Sequence, residues 1–463
     1  MTLNVDPPVK LHDAAEREAI ATEFATTFFV EAAAGTGKTT ALVGRIVSMV
    51  RLGVGTLART VAVTFTEPAA GEMKLRLRLE IEKARRAAVD PVERSRLDRA
   101  LEELELARIS TIHAFCGDLL RERPLEAGVD PAFKLLSEEE SQTLADQAFD
   151  RWLQKILADP PEGPRRILRR RSGNNPPQDQ LRAAMHGLLE HRDFPTGWRR
   201  DPFDRNAAID VLLEQLAETG LIAHESSWPD DYLTQCLRDI AVFVREATRL
   251  EGVQERDYDG LEAELRELST NKRRYKRWEN KGSPKTLYGS LSHAEVLDRR
   301  DAVRAALQSF VAACEADLAP LLHVALREAV AGYDELKARV GTLDFLDLLI
   351  KARNLVRDDR VVRRTLQDKF RHFFVDEFQD TDPLQAEILL LLASDDPDNV
   401  DWQSVRPVAG KLFVVGDPKQ AIYRFRRADV SLYENIKTDS AVWVLNSCVS
   451  ARASGLHLRS SSW

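Results

Sequence analysis

Cysteine is scarce in this 463-residue chain: Cys116, Cys236, Cys314 and Cys448 stand far apart with no paired spacing. That supports neither a disulfide framework nor a thiolate metal site, and it fits a reducing cytoplasm. Long apolar runs are missing as well. The longest is Ile388 to Ala393, and Met1 to Arg17 shows no basic start followed by an apolar stretch, so no membrane or export route is expected. Nor is there an excess of positive charge. With 66 basic and 74 acidic side chains the formal charge is −8, so the overall field does not draw the chain to nucleic acid. Such a contact would have to be local, and the basic clusters Arg165 to Arg171 and Lys272 to Arg277 keep it open.

What is present is a large supply of core residues, 44% hydrophobic over a length that suggests two or three domains. Four short apolar runs, Phe28 to Val30, Val61 to Val63, Phe373 to Val375 and Leu412 to Val415, read as buried parallel strands with helical segments between them. The alternation predicts a doubly wound α/β lobe, in which ligands sit at the carboxyl ends of the strands. From about Ser137 to Val340 the pattern changes to long charged helices, with seams at Leu233, Leu237, Ile240, Val244 and at Val303, Leu307, Phe310, Cys314. The expected division is an α/β lobe in two parts, 1–136 and 341–434, an all-helical insertion at 137–340, and a divergent, poorly packed tail at 435–463. The tail carries six serines from Ser447 to Ser462.

Three segments carry chemistry. Ala32-Ala33-Ala34-Gly35-Thr36-Gly37-Lys38-Thr39-Thr40 follows a strand and opens a helix, the context of a phosphate-binding loop. There, backbone N–H groups wrap phosphate oxygens, Lys38 reaches the β and γ phosphates of ATP, and Thr39 holds magnesium. In Phe373-Phe374-Val375-Asp376-Glu377-Phe378-Gln379-Asp380 a strand delivers two carboxylates, Asp376 for the metal and Glu377 to polarise an attacking water. An isolated acidic pair would read as a solvent-facing strand end, but the phosphate loop favours a hydrolase. Finally, Leu412 to Asp429 places Gln420 in a turn where it can sense the γ phosphate. Tyr423 and Phe425 then interleave with Arg424 and Arg426, a pattern for stacking single-stranded bases that equally fits a helix with a buried aromatic face.

Together these segments resemble the UvrD/Rep family of superfamily one DNA helicases, and in particular its AddA/RecB-like branch. Val63-Thr64-Phe65-Thr66-Glu67 through Met73-Lys74, Ser110-Thr111-Ile112-His113-Ala114-Phe115 and Gly416-Asp417-Pro418-Lys419-Gln420 complete the match in family order, over about Leu11 to Glu434. The resemblance implies a RecA-like P-loop lobe and an ATP-dependent motor moving 3′ to 5′ on DNA, in repair and recombination. It places Phe65, Thr66, His113, Tyr423 and Phe425 along single-stranded DNA near a duplex junction, with Gln379 coupling nucleotide to strand. Glu16 stands where the family commonly has an adenine-reading glutamine, Pro68 where a lysine is frequent and Arg427 where a glycine is frequent. No second motor lobe or nuclease is expected after Asp429, so the chain is expected to be the N-terminal lobe of such a helicase, either a fragment or the product of an interrupted gene, and whether a second polypeptide supplies the missing lobe or a nuclease stays open. The alternative is a module that binds ATP and DNA without unwinding. Asn271 to Trp278, with five basic residues and two aromatics, is a candidate duplex contact or a solvated charged helix end.

Overall fold

The computed structural model describes residues 14–32, 37–170, 176–194, 197–249, 255–270, 278–417, 445–450 and 456–461. Its contacts divide the chain into two compact units, Met1–Leu135 with Gly341–Trp463, and Leu136–Val340. The strands of the first unit are β1 (Thr27–Ala32), β2 (Thr60–Thr64), β3 (Arg108–Thr111), β4 (Lys134–Leu135), β5 (Thr342–Leu343), β6 (His372–Val375), β7 (Leu412–Gly416), β8 (Leu445–Ser450) and β9 (Leu456–Ser461). Seven of them form one sheet in the order β3-β2-β6-β7-β1-β9-β8. From β3 to β1 every pairing is parallel, so the carboxyl ends of five strands share one edge. The short pair β4–β5 brings together the two points at which the helical segment leaves and re-enters this unit.

Both faces of the sheet are covered, and the side-chain alternation of strands decides which residue serves which face. Phe29, Val61, Val63, Phe373, Val375, Leu412 and Val414 join one core with the helices Ile112–Glu122, Phe345–Asp358 and Pro383–Ala393. Phe28, Val30, Ala62, Phe374, Phe413 and Val415 join the other, with α1 (Ala14–Thr22), α2 (Lys38–Leu52), α3 (Glu67–Ala87) and α4 (Pro91–Glu103). Ile112–Glu122 is α5. Arg45 of α2 is buried and stacks on the rings of Phe24, Phe28 and Phe413, while donating to the carbonyls of Ile20 and Glu23 at the end of α1.

Within the tail the described residues form β8 and β9, an antiparallel pair that continues the sheet beyond β1. Leu456 and Leu458 alternate with His457 and Arg459, a period of two too short to stand out among the serines. Pairing with β9 also satisfies the backbone groups that β1 would otherwise present at an open edge.

The second unit is helical, and its spine is the 47-residue helix His293–Arg339. By length and composition that helix could cross a bilayer, with an 18-residue window of mean hydropathy 1.4. Here its apolar residues serve two separate cores: Val303, Leu307, Phe310 and Cys314 pack in one, Leu318, Leu326, Ala329 and Tyr333 in the other. Between them lies a buried ionic cluster. Arg166 Nε and Nη1 meet Glu262 and Asp317, each at 2.7 Å, and Arg205 Nη1 meets Asp259 at 2.7 Å and Glu262 at 2.9 Å. Arg165 pairs with Asp259 and Arg170 with Glu315. Carboxylates distant in sequence therefore pair with Arg165, Arg166 and Arg170, and Arg166 and Arg170 are buried rather than offered at the surface. Losing one partner of such a buried pair costs about 3–5 kcal/mol, although the pair itself adds little net stability.

His372 opens β6, where burial, followed by the charges of Arg45 and Lys411, pushes its imidazole down to about 4. Below its ordinary value of 6.5 the unfolded chain binds a proton that the folded chain refuses. The contribution of His372 to stability should therefore be fully present above pH 6.5 and be lost as the pH drops towards 4, by roughly 3 kcal/mol at most. Urea unfolding of the parent and of His372→Gln at pH 7 and pH 4.5 checks this. The variant should lose part of the acid sensitivity; equal slopes in both proteins would assign the acid response to other groups.

Candidate functional site

β1 is followed, after residues 33–36, by α2, whose N-terminal boundary is Gly37 at φ 92°. Only glycine adopts that left-handed conformation without strain. Among the described residues no side chain caps the helix, so the N–H groups of its first turn suit an anion. Lys38 begins the helix with Thr39 and Thr40 beside it, and Leu42, Val43, Ile46 and Met49 bury the opposite face. Ala32 ends β1; Ala33, Ala34, Gly35 and Thr36 lie outside the described residues.

Two strands away, β6 ends at Val375 and hands on Asp376 and Glu377. Asp376 donates its backbone N–H to the Val63 carbonyl at 3.0 Å, which ties this turn to β2. Glu377 has φ 52°, and it is the one non-glycine residue with positive φ among the described residues. Its carboxylate meets Lys38 Nζ at 2.7 Å, with Lys38 8% and Glu377 34% exposed. Gln379, buried, donates its amide to the same Glu377 oxygen at 2.7 Å and accepts the Asp417 backbone N–H at 2.8 Å. One amide side chain thus links the turn after β6 to the end of β7.

Burial and the neighbouring Glu377 push the Asp376 carboxyl up to about 6, against hydrogen bonds from the Glu377 backbone and the Thr39 hydroxyl. That last contact joins the two residues expected to hold magnesium. Both offer oxygen, and a half-buried carboxylate beside a second one is an environment that a bound cation would relieve. Among the described residues no group of three or more His, Cys, Asp or Glu forms a metal cage. Magnesium does not require one, since it keeps waters and takes one or two protein oxygens alongside phosphate.

The other end of the same strand edge presents β2 and β3. Phe65 is half-buried, and the exposed Thr66 caps α3 by accepting the Ala69 N–H at 3.3 Å. His113, in the first turn of α5, meets the ring of Phe345 edge-on at 5.7 Å and 85°. Burial lowers its pKa, so the ring is neutral near pH 7. Beside it is a pocket of about 230 Å³ lined in part by Glu67, Thr111, Arg121, Phe133 and Phe345. Glu67 and Thr111 lie inside motif segments of the sequence without standing out as site residues, and Arg121, Phe133 and Phe345 escaped notice because they come from separate segments that share no spacing.

Gln420, Tyr423 and Phe425 lie outside the described residues, as do 271–277 of the candidate duplex contact. Trp278, its last residue, is buried in the core with Leu261 and Leu307, so this ring is not a surface contact. Glu16 is half-buried on α1.

Comparison with known proteins follows the same lines. The family described as UvrD/REP helicase N-terminal domain matches residues 12–441. The chain is 26% identical over 455 residues to a protein of Pediococcus pentosaceus named as a subunit of an ATP-dependent helicase/nuclease, covering 87% of this chain and 34% of that protein. It is 28% identical over 461 residues to the protein of the same name from Latilactobacillus sakei, covering 88% and 48%, and 27% identical over 456 residues to that of Listeria monocytogenes, covering 87% and 34%. The chain thus spans about a third to a half of the length of these relatives. With a family match over most of its length and the phosphate-loop lysine set against the strand-end glutamate, the chain belongs to the UvrD/REP helicase N-terminal domain family.

Proposed function

We propose that this chain is the ATP-binding part of an ATP-dependent DNA helicase that moves 3′ to 5′ on single-stranded DNA in repair and recombination. The observation that carries the reading is the convergence of Lys38, Thr39, Asp376, Glu377 and Gln379 at the ends of β1, β6 and β7. Lys38 and the open first turn of α2 bind the β and γ phosphates of ATP. Thr39 and Asp376 would hold magnesium, which would supply neutralisation of charge on the phosphate oxygens. Glu377 orients and deprotonates the attacking water. Gln379 joins Glu377 to Asp417, so a change in what Glu377 contacts is passed to the end of β7.

Single-stranded DNA lies along Phe65, Thr66, His113 and Phe345 on the same strand edge, with Tyr423 and Phe425 as further stacking residues. The relatives are named as one subunit of a helicase/nuclease, which supports a partner polypeptide that supplies a nuclease or a second motor lobe. ATPase assays with and without single-stranded DNA test the proposal. Turnover should rise severalfold with the strand, alone or on addition of such a partner. Phosphoryl transfer to a small acceptor, with no response to DNA in either case, would replace the helicase reading with a kinase.

A further inference from the structure

The pocket at the ends of β2 and β3 has features that binding along a phosphate backbone does not use. Its walls include Glu67, Thr111, His113, Arg121, Phe133 and Phe345, and at about 230 Å³ it is smaller than the roughly 300–1,000 Å³ of sites for drug-sized ligands. One ring system fits such a space better than a whole nucleotide. Its aromatic members are His113 and Phe345, edge to face, and Phe133, over which the Arg121 guanidinium lies at 4.4 Å. Arg121 is half exposed, and its carboxylate partner Asp118 is 3.9 Å away, so the cation can also meet a phosphate. Gly117 keeps the floor open: a Cβ there would stand 3.8 Å from Leu348 and 3.3 Å from Arg121.

The polar member that sets chemistry is Glu67, the first residue of α3. Its Oε1 accepts the Thr111 hydroxyl at 2.7 Å, and its other oxygen has no hydrogen-bond partner among the described residues. Thr111 therefore fixes a carboxylate at the pocket with an acceptor to spare. An acidic group is out of place if this edge only grips phosphates, because it repels them. It suits a base edge rich in N–H donors.

We propose that this pocket takes a single unstacked base of the bound strand and that Glu67 reads it, favouring guanine. This rests on the reading of the chain as a single-strand DNA binder. A carboxylate only accepts hydrogen bonds. Guanine offers it two adjacent donors, N1–H and the exocyclic amine; adenine and cytosine offer one amino group, and thymine sets its single N–H between two repelling carbonyls. Guanine is thus best, thymine worst, and the aromatic walls supply stacking that does not depend on the base.

Fluorescence anisotropy with a labelled thymine tract, and with the same tract carrying guanines, tests this on the 463-residue chain at fixed salt. The parent should favour the guanine strand by on the order of tenfold. In Glu67→Gln the amide oxygen can still accept from Thr111, but the preference should fall severalfold while affinity for the thymine tract rises as the repulsive charge is lost. Phe345→Ala should weaken both strands together. A parent that binds the two strands equally, or a Glu67→Gln variant that keeps the preference, overturns the base-reading role and leaves DNA binding standing. A parent that binds neither strand overturns both.

Discussion

Lys38→Ala should abolish magnesium–nucleotide binding, with affinity falling at least about a hundredfold, the scale on which a buried charged hydrogen-bonding partner is lost. Lys38 is nearly buried, and among the described residues it is the side-chain cation in the first turn of α2. With it removed, the phosphates keep the backbone N–H groups but face Glu377 without a counter-charge. Titration with a fluorescent ATP analogue measures the effect, and circular dichroism confirms that the variant remains folded. Affinity within severalfold of the parent would remove the phosphate-loop assignment.

Glu377→Gln should separate binding from turnover. The amide preserves size and can still accept from Lys38, yet it cannot take a proton, so hydrolysis should fall by about 10²–10⁴-fold. Binding should move the other way. Lys38 Nζ meets Glu377 at 2.7 Å, so on the proposed role of Lys38 the carboxylate competes with phosphate for the same ammonium. Weakening that ion pair with a neutral amide removes a competitor, so nucleotide affinity should rise severalfold. Single-turnover hydrolysis beside equilibrium binding reads both. A variant that hydrolyses ATP as fast as the parent would make Glu377 structural.

The residues proposed for the ATP site stand out in the sequence because they are packed into near-consecutive positions: Gly37, Lys38 and Thr39 at one strand end, Asp376, Glu377 and Gln379 at another. The four apolar runs fall within β1, β2, β6 and β7 for a related reason, since strands buried on both faces read as unbroken apolar stretches. β3 escaped notice. Arg108 to Ser110 are only half-buried at the sheet's edge, and no apolar run marks them. The seam Leu233, Leu237, Ile240 was equally plain, and all three are buried. What sequence could not carry was tertiary compensation. Arg166 looks like part of an open basic run until Glu262 and Asp317 come to it from far along the chain. The pocket at Glu67 and Phe345 likewise exists only once α3, α5 and the helix Phe345–Asp358 converge.

Glu377 also bears on how this lobe can be engineered. At φ 52° the backbone there would be better served by glycine, since a side chain in the left-handed region costs roughly 1–2 kcal/mol. Stabilising substitutions sought by screening for melting temperature alone would therefore be drawn to this position, and they would return proteins that are more robust and inert. On the role proposed for Glu377, thermostability and turnover are opposed at a single residue, so a campaign to harden the lobe has to hold Glu377 fixed and look for its gains elsewhere.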